Sequence, residues 1–283
     1  MEQVMPYLLA FFGGIFGAVF GGATVFIIFG FFGLVGIALV VSTGSDVFLN
    51  TIALSPIFSP EISFAGAVAA AAYWGKVTRD KAASDSGVEI FDGSNIFAPL
   101  VSTNNVNVLL VGGVFGVLGY TITSLLNGAG FPADNIAVGV VVTNILARLL
   151  FGGSLTSQLP IEVNKIELFT KPIVFNIIWS FALAVVIGGI VDVIQIPLFG
   201  FVLGAFVLIF IAAGVNIPMI HHVALIAGIA MLTFGNIWMA GVFGVIASLL
   251  CDFIGIHLNA KVQSHIDPPA AAIIILSLVL AFI

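Results

Sequence analysis

Few side chains in this sequence can do chemistry, and their spacing gathers them into three sets. The first is Thr143, Asn144 and Arg148. Asn144 sits about 15 Å along a helix that starts near Ala133, at 1.5 Å per residue. Arg148 follows one turn later on the same face. A carboxamide and a guanidinium at that depth suit the wall of an aqueous path. The plainer readings are an Asn bonded to a neighbouring helix and an Arg whose head reaches the interface.

The second set is Ser102-Thr103-Asn104-Asn105-Val106-Asn107. It places the amides of Asn104, Asn105 and Asn107 beside a helix start, where they suit a polar solute. Capping of that helix by Ser102 or Thr103 explains the same residues. The third set is Glu61, directly after Pro60, together with His221-His222 at the corresponding helix start of a second copy. The helix macrodipole alone favours a carboxylate at Glu61. Paired His suits proton or cation handling. Neighbours on a helix point about 100° apart, so one metal would not take both rings, and neither metal nor cofactor is expected. Asp134, Asp192, Asp252 and Asp267 fall at helix ends, where solvation at the interface is the default reading.

Several chemistries are excluded. The sequence has no G-x-x-x-x-G-K-[ST] phosphate loop, no H-E-x-x-H pair and no G-x-S-x-G elbow. Nothing pairs a nucleophile with a base, so an enzyme is not expected. Seven Lys and Arg residues are too few for nucleic acid. The lone Cys251 forms no intramolecular disulfide and reads as a buried apolar side chain.

The elements that hold these residues are set by solvent. Of 283 residues, 61% are hydrophobic and only 7% charged, against roughly 25% charged in soluble domains. So little charge cannot keep a surface in water, whereas lipid removes that demand. The 32 Gly and 27 Phe agree, since Gly is tolerated in membrane helices and allows close backbone approach. No cleavable signal peptide is expected, because Met1–Met5 lacks basic residues and the apolar run after it reaches Val41.

A span needs about 20 apolar residues. The charge-free stretch Met5–Val41 is too long for one and splits near Gly21-Gly22. The later spans start near Ile62, Val106, Ala133, Pro172, Pro197, Pro218, Ile237 and Pro268, giving about ten in all. Prolines 132, 172, 197, 218 and 268 stand at or before helix starts, where a missing N–H costs nothing. Ten crossings put the loops 76–105, 152–171 and 255–267 on one side. All seven basic residues lie on or near that side: Lys76, Arg79, Lys81, Arg148, Lys165, Lys171 and Lys261. Basic loops are cytoplasmic, so a plasma-membrane protein with both termini outside the cytoplasm is expected.

Gly113-Val114-Phe115-Gly116-Val117 recurs as Gly241-Val242-Phe243-Gly244-Val245, and Gly113, Gly116, Gly241 and Gly244 are read as close-packing glycines. Gly21-Gly22 matches Gly188-Gly189, and Ala65-Gly66 matches Ala227-Gly228. Two five-helix copies, 1–153 with a hydrophilic loop at 76–105, and 172–283, would then run in opposite orientations. Val47–Phe58 and Val88–Val101 are apolar but too short to span, which suits re-entrant segments. The glycines Gly13, Gly17 and Gly21 read as packing within the chain.

The expectation is an all-α integral membrane protein of about ten transmembrane helices, arranged as a 5+5 inverted-topology repeat with re-entrant segments. It would carry a small solute or ion at a site near the midplane. The five-plus-five plan occurs in unrelated transporter and channel families and is an analogy of architecture. The alternative is a membrane-embedded subunit of a larger complex, docked through the loop 76–105. The expected partners are the lipid bilayer, a small solute or ion, and a homo-oligomer or membrane-complex partner.

Overall fold

A computed structural model describes residues 4–156 and 172–283. Among them there is no strand. Ten α-helices follow in order: α1 (Met5–Phe20), α2 (Gly22–Thr43), α3 (Ser63–Ala82), α4 (Val106–Gly128), α5 (Asn135–Ala147), α6 (Ile173–Ile194), α7 (Leu198–Ala212), α8 (His221–Phe234), α9 (Ile237–Asn259) and α10 (Pro268–Leu280). Five are long and apolar enough to cross a membrane: α2, α4, α5 with the π-helical turn Arg148–Gly152 that extends it, α6 and α9. The apolar helices α1, α7, α8 and α10 are shorter. At 1.5 Å per residue, α8 and α10 each reach only about 20 Å. Lys165 and Lys171, which carry part of the charge argument, lie outside the described residues, as does Glu2.

Local chemistry sets the helix boundaries. Gly21 has φ +88 and breaks the long apolar stretch between α1 and α2. Four N-termini are closed by side chains. Asn105 and Asn236 cap α4 and α9, and Asp134 and Asp267 cap α5 and α10. The cap of α4 is thus Asn105 and not Ser102 or Thr103. By contrast, α3 and α8 begin without a side-chain cap.

The two sets of five helices pack alike. α1 lies on α3 and α4, as α6 lies on α8 and α9; α3 touches α4 and α5, as α8 touches α9 and α10. The sets meet where α2 packs on α7 and α5 on α10. Detail follows the same rule. Gly113 lies under the ring of Phe11 and Gly241 under the ring of Phe181. Gly116 meets Ala10 and Gly14, while Gly244 meets Ser180 and Ala184, which flank Phe181 as Ala10 and Gly14 flank Phe11. A Cβ at any of the four glycines would fall under 3.0 Å from a neighbouring atom.

The loops reveal the two ends of the molecule. Arg79 donates to the Phe151 carbonyl at 2.7 Å, joining the end of α3 to that of α5. Gly93 rests against the Gln263 carbonyl, and Arg148 binds Ser264. The described parts of the three basic loops therefore share one end. Pro132, Thr233 and Ala281 line a cleft at the other.

Candidate functional site

Two helices start inside the molecule. After α2 the chain turns back through the π-helical turn Leu49–Ala53 and a run of tight turns. It packs against α1, where Phe58 meets Phe16, and against α2, where Phe32 meets Phe58. This segment ends in the buried turn Ser59-Pro60-Glu61, whose Glu61 backbone lies on Gly119 near the middle of α4. The second start is that of α8, where the His221 backbone lies on Gly204 in the middle of α7. Glycine is required at these approaches because any Cβ would overlap the crossing backbone.

Between these starts lies a central pocket. Pro60 and Phe64 border it from one set of helices, Met219 and His221 from the other, and the capping carboxylates Asp134 and Asp267 also line it. Its sides are rings and aliphatic groups. Phe26, from α2, meets Phe201, from α7, at 5.4 Å between ring centres, and both rings pack on His221. The pocket is narrow, with about 40 Å³ of free space. Among the described residues, no Lys or Arg lines it. Asp134 and Asp267 are therefore not ordinary solvated helix ends. Asp252 lies not at a helix end but within α9, half-buried, where Asn176 Nδ2 donates to it at 2.5 Å.

The antiparallel pair α5 and α10 frames the pocket through two matched hydrogen bonds. Asn144 Oδ1 accepts from the N–H of Asp267 at 3.2 Å. Ser277 Oγ accepts from the N–H of Asp134 at 2.9 Å. Asn144 and Ser277 stand equally far beyond the capping aspartates of their own helices. Each aspartate in turn accepts from the N–H three residues on, Ala137 or Ala270, at 2.8 Å. His265 Nε2 also contacts Asp267 at 3.2 Å.

A second cavity, of about 250 Å³, opens away from the basic end and is bordered by Ser59, Glu61, Tyr120, Thr123, Asn127 and Ile136. Ile136 also lines the central pocket. The outer cavity and the central pocket are thus separated by Ile136 and the Pro60-Glu61 turn.

The expected site residues separate into three fates. Glu61, His221 and His222 are buried at the inner helix starts, and the Nδ1 atoms of both His lack a partner. Asn144 is fully buried, with its Oδ1 used and its Nδ2 unpartnered, while Thr143 folds back onto the Gly139 carbonyl at 2.7 Å. Arg148 offers no free donor. It is 0% exposed. Its five N–H groups meet Ser264 Oγ, the Leu155 carbonyl, the Leu258 carbonyl, Asn259 Oδ1 and the Ser264 carbonyl. Asn104 and Asn107 are exposed, and Asn105 is spent on its cap, so this cluster stands apart from both cavities.

Of the short apolar segments, Val47–Phe58 packs inward as described. In the other, Ile96 accepts from the N–H of Ala23, and Leu100 donates to the Ala18 carbonyl, covering the α1–α2 break. The sequence reading missed Asp134, Asp267, Ser277 and Ser59. A signal existed for the aspartates, since each stands within two residues of a proline and three before an Ala in the first turn of an apolar helix.

The chain belongs to a family of unknown function, DUF7973, which matches residues 1–171 and 180–283. No curated protein and no solved structure matches it.

Proposed function

We propose that this protein is a multi-pass transporter or facilitator that moves a small solute or ion through the central pocket. The observation that carries the reading is the matched pair of hydrogen bonds between α5 and α10. Residue for residue, each helix gives the other what it receives, which is the signature of a two-fold relation. Combined with the like packing of the two helix sets, it supports a 5+5 inverted repeat with ten crossings. In such folds the solute site lies at the repeat interface near mid-membrane, between helices that start inside the bilayer. The starts of α3 and α8 meet that description, as do the unpaired polar atoms of His221, His222 and Asn144.

Polar groups at membrane depth are expensive and tend to serve a path or a bound solute. The proposed location is the plasma membrane, with the basic loops in the cytoplasm and both termini outside. Uptake screens on proteoliposomes, with solutes grouped by charge and size, test the reading. Saturable uptake lost in His221→Phe supports it. A reconstituted, folded protein that moves nothing and is stabilised by nothing overturns it, and would favour a subunit of a larger complex.

A further inference from the structure

We infer that Glu61 is a proton-exchange site, loaded from the outer cavity, that couples protons to movement through the central pocket. The inference rests on the transporter reading and deepens it by naming the coupling ion.

Three features point to Glu61. Its side chain is 5% exposed, yet it borders the outer cavity, while the adjacent Pro60 borders the central pocket. One turn of chain thus touches both spaces. Its carboxylate accepts from Ser59 Oγ, and among the described residues no basic side chain forms an ion pair with it. The titratable groups facing it from the packed helices are Asp134 of α5, whose charge acts on it, and Tyr120 of α4.

Charge balance points the same way. Four helix N-termini, those of α3, α5, α8 and α10, are gathered at the two cavities. At roughly +0.5 each they supply about two positive charges. Glu61, Asp134 and Asp267 supply three negative ones if all ionise. Each of the two aspartates accepts from the backbone N–H that it caps. The surplus is about one negative charge shared among the three carboxyls, and of these Glu61 is the one that borders the outer cavity. A proton neutralises it without needing the cage of oxygen ligands that a metal cation demands.

Carbodiimide labelling of the whole protein in lipid vesicles, read by peptide mass spectrometry, tests this without knowledge of the solute. Dicyclohexylcarbodiimide adds to protonated carboxyls in apolar surroundings. The expected result is an adduct on Glu61 that grows as pH falls and is absent in Glu61→Gln. Ser59→Ala removes the hydroxyl that favours the ionised form. Labelling should then persist to higher pH by about one unit, the size of one hydrogen bond to a charged group. A water-soluble carbodiimide should reach Glu61 from the side opposite the basic loops, and faster in Ile136→Ala. No Glu61 adduct at any pH, or an adduct suppressed by Na⁺ and not by alkali, overturns the proton site while leaving the uptake screens standing. Normal labelling with no uptake of any solute overturns the transporter reading instead.

Discussion

The two helix sets share a scaffold but fill its closest contacts differently. In the first set α1, α3 and α4 converge at Gly14, Gly66 and Gly112, whose backbones touch. In the second, the residue before Gly241 is Ala240, and it clusters with Ala184 and Ala227. Gly139, five residues beyond the capping Asp134, faces the Glu61 Cβ at 2.9 Å. Five residues beyond Asp267 stands Ala272. The first set therefore has bare backbone at these joints, and it carries a carboxylate at its inner helix start. The second keeps methyl groups at Ala184, Ala240 and Ala272 and carries two His residues at its inner helix start. The lesson is that one architecture tolerates opposite chemistry at equivalent helix starts, because packing and polar function are assigned to different residues.

Substitutions can break this contrast, and the largest effect is expected at Arg148, which has no basic counterpart on α10. Arg148→Ala leaves several buried acceptors unsatisfied, at about 1–3 kcal/mol each. Thermal unfolding in detergent should show a loss of about 3 kcal/mol or more. A melting temperature unchanged from wild type would mean the basic end is not held as described. Next come Gly119→Ala and Gly139→Ala, which force a methyl into the Glu61 turn. Overpacking of this kind costs about 1–3 kcal/mol. The reverse change, Ala272→Gly, should cost about 1 kcal/mol or less. Equal losses in both directions would erase the difference between the sets.

A smaller effect is expected at the matched hydrogen bonds. Ser277→Ala should cost about 1 kcal/mol. Asn144→Ala should cost no more, because it also removes an unpaired buried amide. A cost many times larger for either one would argue against their equivalence. The mildest test leaves stability untouched. Lys81→Cys and Lys261→Cys, in the Cys251→Ala background, should react with an impermeant thiol reagent from the same side of sealed vesicles. Reaction from opposite sides would dismantle the orientation on which the comparison rests.

Much of this was legible in the sequence, for identifiable reasons. The break at Gly21 and the start at Pro268 follow from backbone chemistry that acts locally. The Gly113/Gly241 match was visible because close packing tolerates little substitution. Arg148 was misjudged because its acceptors come from residues 258–264, more than a hundred positions away. Asp134 and Asp267 looked like solvated ends because sequence spacing does not tell how deep a helix begins. Only the packing of α5 and α10 in three dimensions brings those starts to the pocket.

The saturated guanidinium of Arg148 has a mechanical corollary. By fastening the end of α5 to the α9–α10 connection, it locks the two halves together at the basic pole. The opposite pole holds a cleft of about 300 Å³ between Pro132 and Thr233, spanned by the bond from Asp134 N–H to Ser277 Oγ. One pole is thus held by the hydrogen bonds of a charged group and the other by a neutral one.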